Sequence, residues 1–154
     1  MPTGLHNRNA YDEWVSKNDR DCETAIVTFD LNDLKYCNDT FGHAAGDKYI
    51  QDAAKLIAEV FEPAGVCYRI GGDEFVVIYP DILQQQFEFL MSQLRLNARQ
   101  HHVSFSCGAV WKKECDSLDA LLKEADEKMY EEKKHFYEKT EHDRRRKIRR
   151  SEHV

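Results

Sequence analysis

In the stretch VCYRIGGDEFVVIYP at residues 66–80, two short apolar runs flank a pair of glycines. Both runs are rich in β-branched and aromatic side chains, which favour strands. Gly71 and Gly72 predict a tight turn that folds the two strands into a hairpin. The acids Asp73 and Glu74 then lie at the tip of that hairpin.

A second apolar run, TAIVTFDL at residues 24–31, predicts a buried strand that ends in Asp30. If the hairpin pairs beside this strand, Asp30, Asp73 and Glu74 converge at one end of the sheet. Such a cluster is unfavourable unless a cation neutralises it, and carboxylate oxygens suit Mg²⁺. The residues alone therefore suggest metal-assisted phosphoryl or nucleotidyl transfer. A polar hairpin tip without a function is the alternative at this point.

The remaining segments alternate between helical and strand patterns. Strands are predicted at 24–31, 66–70, 74–79 and 103–111. Helices are predicted at 7–17, 34–39 and 82–98, from residue 43 to the break at Pro63, and from residue 117 onward. The resulting order, α-β-α-α-β-β-α-β-α, is typical of a ferredoxin-like or palm-type sheet with helices packed on it.

The composition is that of one soluble globular domain, with 154 residues of which 42% are hydrophobic. No apolar run reaches the roughly 18 residues of a membrane span, and the N-terminus lacks a secretory signal, so we expect a cytoplasmic segment without membrane contact. The net charge of −6 argues against a nucleic-acid partner. The basic run at 144–150 is interpreted as a solvated chain end, with a contact for phosphate, acidic protein or membrane as the alternative.

Residues 71–75 read GGDEF, the signature that names the GGDEF family of diguanylate cyclases. Other segments resemble motifs of that family in the family's order: TGLHNR (3–8), FDLNDLK (29–35), FGHAAGD (41–47), SFSCGA (104–109) and ADEKMYEEK (125–133). So many ordered matches exclude chance, and the chain is identified as a member of the family over residues 3–133.

The resemblance implies an α+β fold of the ferredoxin-like or palm type, with a central, mostly antiparallel five-stranded sheet flanked by helices. We expect this domain at residues 1–140 and a basic C-terminal tail at residues 141–154. The implied enzyme condenses two GTP into cyclic di-GMP and releases pyrophosphate. Because one domain holds one GTP, a second GGDEF domain has to complete a two-fold dimer. The sequence begins within the first family motif, so we also expect an upstream sensory domain in a longer parent protein.

The resemblance assigns the metal-binding and catalytic roles to the converging acids. Asp30 would bind Mg²⁺, or Mn²⁺ as the alternative ion, through its carboxylate, and Leu31 through its main-chain carbonyl. Asp73 would bind metal and accept the 3′-hydroxyl proton, with Glu74 as a further carboxylate on the metals. The roles of these two acids stay open, since adjacent acids around metals titrate together. Lys35 would place positive charge on the triphosphate.

Substrate binding is implied in the same way for Asn38, His43, Asp47, Gly71, Gly72 and Lys133. The Asp47 carboxylate matches the N1–H and N2 donors of guanine, which adenine lacks, so GTP is expected rather than ATP. Asn38 would bind the base edge, and Lys133 would hold the triphosphate. The two glycines would let the nucleotide lie close to the backbone. His43 could contact the nucleotide or make a hydrogen bond at the start of a helix, and both interpretations stay open.

Several positions depart from the family pattern. Tyr137 stands where the family has a phosphate-binding arginine, so a lower affinity for the triphosphate is expected unless the basic tail compensates. Residues 62–65 (EPAG) replace the inhibitory product motif RxxD, which predicts no product inhibition there. Asn32 replaces a second acid and leaves Asp30 untouched. Arg69 is expected to pair with the acidic cluster rather than with substrate.

Two other functions are compatible with this sequence. Because the end of the last helix departs from the family pattern, one alternative is a degenerate GGDEF domain that binds GTP or a partner without catalysis. A cyclase that makes a mixed GMP–AMP dinucleotide is a further alternative, which the Asp47 carboxylate disfavours.

Overall fold

The structure, a computed structural model, describes residues 3–17, 23–114 and 117–152, with side chains throughout these ranges except at 14–17 and 142–152. The elements are α1 (Arg8–Lys17), β1 (Thr24–Leu31), α2 (Leu34–Phe41), α3 (His43–Phe61), β2 (Val66–Arg69), β3 (Glu74–Pro80), α4 (Gln84–Gln100), β4 (Phe105–Lys112) and α5 (Leu118–Glu152). Their order is the predicted one. None of the helices in these ranges is both long enough and apolar enough to cross a membrane.

The sheet has the strand order β2-β3-β1-β4, and every neighbouring pair is antiparallel. Strand β1 is central, and all of its residues are buried. One face of β1, with Val27 and Phe29, packs with α3 and α4, while the other face, with Ile26, packs with α1 and α5. The alternation of side chains along a strand thus gives the domain two apolar cores on opposite faces of one sheet.

The expectation of a five-stranded sheet is wrong for the described residues, which form four strands. The segment before α1 makes only one isolated parallel bridge, between His6 and Tyr68. Immediately afterwards the Asn7 side chain accepts a hydrogen bond of 2.9 Å from the backbone N–H of Ala10 and starts α1. Because the chain turns into a helix there, it cannot continue along the edge of β2.

Helix α4 begins at Gln84, two positions later than predicted. Ile82 is buried, and its carbonyl oxygen accepts a hydrogen bond of 2.7 Å from the indole N–H of Trp111. Leu83 has an extended backbone and a side chain that is 55% exposed. The chain is therefore held extended against β4 before the helix can begin.

Helix α5 packs closely against β4 at Gly108. A Cβ atom added at this glycine would overlap the carbonyl oxygen of Ala125 and press on the backbone of Met129. This close approach sets the position of α5 against the sheet one turn before Lys133. The basic run at 144–150 lies on the same helix, but its side chains are outside the described residues, so both interpretations of it stay predictions.

Replacing Gly108 with Ala is expected to lower the free energy of unfolding by roughly 3 kcal/mol, because the added methyl group meets backbone that cannot move without shifting α5. Urea titration followed by circular dichroism measures this change. Gly72→Ala is the matched control, since a Cβ there meets nothing within 4 Å. Equal stability of the Gly108→Ala and wild-type proteins would contradict the tight contact.

Candidate functional site

Three carboxylates meet where β1 ends beside the hairpin. Asp30 is paired with Glu74 across the β1–β3 register, and the backbone N–H of Leu31 donates a hydrogen bond of 2.9 Å to the carbonyl oxygen of Asp73. One oxygen from each of Asp30, Asp73 and Glu74 lies within 4.8 Å of the others. The structure therefore brings together the acids that the sequence predicted to converge.

The Asp30 carboxyl is the most buried of the three acids, with the whole residue 8% exposed. Burial is the main cause that raises the pKa of Asp30 to about 6. The ion pair with Lys133 opposes this rise, and the negative charge of Asp73 adds to it. The charged form of Asp30 is thus short of positive charge, which a bound cation would supply.

Lys133 reaches this cluster from α5. Its Nζ atom lies 2.9 Å from Oδ1 of Asp30 and donates a hydrogen bond of 3.3 Å to the carbonyl oxygen of Leu31. The Tyr137 ring, one turn further along the helix, has its centroid 5.5 Å from the same nitrogen. The ammonium group therefore contacts two of the four groups that the family resemblance assigns to the metal, the Asp30 carboxylate and the Leu31 carbonyl, whereas the sequence predicted a contact with the triphosphate.

The donor set at this edge fits a hard divalent cation. It offers oxygens only: the carboxylates of Asp30, Asp73 and Glu74 and the carbonyl of Leu31. Oδ1 of Asp30 is enclosed, and apart from its ion pair with Lys133 it has no well-directed hydrogen bond to the described residues. A buried carboxylate oxygen set among other carboxylates is an environment that Mg²⁺ or Mn²⁺ stabilises.

The glycine turn of the hairpin is held by Arg69. Its Nε atom donates a hydrogen bond of 3.1 Å to the carbonyl oxygen of Gly71, and Nη2 donates one of 3.1 Å to that of Gly72. The backbone N–H of Ile70 donates to the carbonyl oxygen of Glu74 at 3.0 Å and closes the turn. Arg69 therefore fixes the backbone that carries the two hairpin acids, a role that the sequence did not reveal.

Four further predicted site residues lie on the packed pair of helices α2 and α3, namely Lys35, Asn38, His43 and Asp47. The side chains of Lys35, His43 and Asp47 are exposed, and Asn38 is half-buried. Asn38 packs directly on Gly46, where an added Cβ would overlap the amide oxygen. Because Asp47 directly follows Gly46 in α3, the Asn38 amide and the Asp47 carboxylate come from neighbouring positions of the helix pair.

A buried polar network adjoins the end of β1. Asn32 is 2% exposed; its side-chain Nδ2 donates to Oγ of Ser104 at 3.1 Å, and its Oδ1 accepts from Oγ of Ser106 at 2.9 Å. The Tyr49 hydroxyl joins the same network from α3. No role was predicted for Tyr49 from the sequence, although a tyrosine beside the buried stripe of α3 could have signalled a polar partner.

The comparisons with known proteins agree on one family. The sequence model described as "Diguanylate cyclase, GGDEF domain" matches residues 2–139. Diguanylate cyclase DgcN of Escherichia coli (strain K12) is 33% identical over 151 residues, covering 89% of this chain and 37% of the relative. Cyclic di-GMP phosphodiesterase PdeR of the same organism is 31% identical over 141 residues, covering 83% of this chain and 21% of the relative.

Among solved structures, the GGDEF domain of DgcB from Caulobacter crescentus in complex with c-di-GMP is 26% identical, with a TM-score of 0.73. The alignment covers 85% of this chain and 86% of that domain. The chain spans only 37% and 21% of the length of the two sequence relatives. The ordered motifs, the fold and the family match agree, and the chain belongs to the GGDEF family of diguanylate cyclase domains.

Proposed function

We propose that this chain is the catalytic domain of a diguanylate cyclase, which joins two GTP molecules into cyclic di-GMP with release of pyrophosphate. The observation that carries the proposal is the meeting of Asp30, Asp73 and Glu74 within 4.8 Å at one sheet edge. Family membership supports the same reaction. Carboxylates placed in this way serve transfer chemistry in which negative charge moves onto a phosphate leaving group.

Asp30, Asp73, Glu74 and the Leu31 carbonyl would hold Mg²⁺, or Mn²⁺ in its place. The bound ion would supply positive charge for the triphosphate and the leaving pyrophosphate. Asp73 accepts the proton of the 3′-hydroxyl group, with Glu74 beside it. The freed 3′-oxygen bonds to the α-phosphorus of the other GTP while the bond from that phosphorus to pyrophosphate breaks.

The helix pair α2 and α3 supplies the proposed guanine site. Asp47 accepts hydrogen bonds from N1–H and the N2 amine of guanine, and Asn38 binds the base edge. Lys35 in the first turn of α2 is exposed and meets the triphosphate as a point charge. The exposed His43 begins α3 beside these groups and stays a candidate for a nucleotide contact. The open surface at Gly72, where a Cβ meets nothing within 4 Å, leaves room for nucleotide above the turn.

Two such domains have to face each other across a two-fold axis, since each holds one of the two reacting GTP molecules. This arrangement turns the encounter of two bound nucleotides into a step of nearly unimolecular character. A cytoplasmic location and an upstream sensory domain remain predictions from the sequence.

A non-catalytic GGDEF domain that binds GTP or a partner is the second candidate. Two observations favour it: Tyr137 occupies the place of the phosphate-binding arginine, and one relative of similar identity, PdeR, is named a cyclic di-GMP phosphodiesterase. The presence of all three acids favours catalysis.

Incubation of the chain with GTP and Mg²⁺, followed by chromatography of the products, separates the two candidates. Cyclic di-GMP and pyrophosphate are expected, at a rate that rises more than linearly with protein concentration because two domains must meet. Asp73→Asn is expected to lower the rate roughly 100-fold or more through loss of the base and a metal ligand. Asp52→Asn, on the exposed surface of α3, is the control expected to leave the rate unchanged. Tight GTP binding without product would favour the non-catalytic candidate.

Lys133→Met is expected to have opposite effects on metal binding and on catalysis. Removal of the ammonium group frees Asp30 and the Leu31 carbonyl, so the affinity for Mn²⁺ alone rises roughly tenfold. The rate of cyclic di-GMP formation falls, since the triphosphate loses a positive charge. Electron paramagnetic resonance of Mn²⁺ without nucleotide measures the affinity, and exposed Lys134→Met is the control. Weaker Mn²⁺ binding by Lys133→Met would show that the ammonium does not compete with the ion.

A further inference from the structure

The Tyr49 hydroxyl on α3 contacts three backbone groups of two other segments. It lies 3.0 Å from the carbonyl oxygen of Asn32 and 2.9 Å from that of Ser104, and it accepts a hydrogen bond of 3.1 Å from the backbone N–H of Ser104. Its single hydrogen can be donated to one of the two carbonyls at a time. One hydroxyl thus ties α3 both to the residue after β1 and to the residue before β4.

The segments that Tyr49 joins are also bound to each other. The backbone N–H of Asn32 donates to the carbonyl oxygen of Ser104 at 2.9 Å, beyond the last paired residues of β1 and β4. The Asn32 amide bonds to Ser104 and Ser106 through its side chain, and Asn32 and Ser106 are 2% and 0% exposed. A buried network in which the polar groups have partners holds its members in one arrangement.

The network is close in sequence to both halves of the proposed site. Asn32 directly follows Leu31 and is two residues from Asp30, which belong to the metal-binding half. Tyr49 is two residues from Asp47 on α3, which belongs to the guanine-binding half. Burial raises the pKa of the Tyr49 phenol, so the hydroxyl keeps the proton that this bridge requires at neutral pH.

We propose that Tyr49 is a positioning residue that fixes the metal ligands Asp30 and Leu31 relative to α3, so that metal binding and guanine nucleotide binding strengthen each other. This inference rests on the proposed function, since it assumes that both halves bind parts of one metal–nucleotide complex. A tyrosine that only stabilised the fold would lower stability without changing how the two ligands depend on each other.

The experiment measures the coupling between Mn²⁺ and 3′-deoxyguanosine triphosphate, a nucleotide that lacks the attacking hydroxyl group. Mn²⁺ affinity is determined by electron paramagnetic resonance with and without the nucleotide, and the ratio of the two affinities is the coupling factor. In the wild-type chain the nucleotide is expected to tighten Mn²⁺ binding. In Tyr49→Phe, which keeps the ring and loses the hydroxyl, the coupling factor is expected to fall roughly 3- to 10-fold.

Ile57→Val is the matched control, because it trims a fully buried side chain two turns further along α3 and lowers stability without touching the bridge. Its coupling factor is expected to equal that of the wild type. An unchanged factor in Tyr49→Phe, or an equal loss in Ile57→Val, would overturn the positioning role.

Ser106→Ala provides an independent test if Tyr49→Phe does not fold. It removes the donor to Oδ1 of Asn32 and is expected to lower the coupling factor in the same direction. An unchanged factor in that variant would also contradict the inference. A wild-type chain that binds neither Mn²⁺ nor the nucleotide would instead overturn the proposed function itself, and this inference with it.

Discussion

The buried carboxylate of Asp30 at the end of the central strand is the constraint on which the site depends. Two more acids from the hairpin stand beside it, and such a group of charges is stable only near a cation. Lys133 provides one positive charge, and it can do so because Gly108 lets α5 approach the sheet one turn earlier. The close packing of α5 against Gly108 therefore also contributes to the charge balance of the three acids.

The sequence predicted the features that are encoded locally. The apolar run from Thr24 to Leu31 fixed the bounds of β1, and the glycine turn fixed the hairpin, so the meeting of the acids followed from strand pairing. The contacts that it did not predict join distant parts of the chain. Lys133 and Leu31 are 102 positions apart in the sequence, and Tyr49 and Ser104 are 55 apart. The periodicity of a single segment carries no information on contacts between residues so far apart. The sequence did predict the helix start at Asn7 that leaves no room for a fifth strand there, and the five-stranded sheet was expected from the family resemblance alone.

The structure shows what two residues that depart from the family pattern, Tyr137 and Asn32, contact. Tyr137, in place of an arginine, faces the ammonium group of Lys133 with its ring. Asn32, in place of an acid, is neutral and buried, and both ends of its amide bond to serines of the β4 segment. A second carboxylate at that buried position would add charge beside Asp30, whereas the amide satisfies its neighbours without charge. The chain therefore keeps its acids where a cation can reach them and uses neutral polar groups behind them.

The most direct measurement is the crystal structure of the chain grown with Mn²⁺ and 3′-deoxyguanosine triphosphate, with the ions located by anomalous scattering. Mn²⁺ is expected on the Asp30 carboxylate, the Leu31 carbonyl and the hairpin acids, with Lys133 turned to the triphosphate and guanine against Asn38 and Asp47. Nucleotide bound elsewhere, or an acidic edge without Mn²⁺ while Lys133 still contacts Asp30, would contradict the proposed metal and guanine sites.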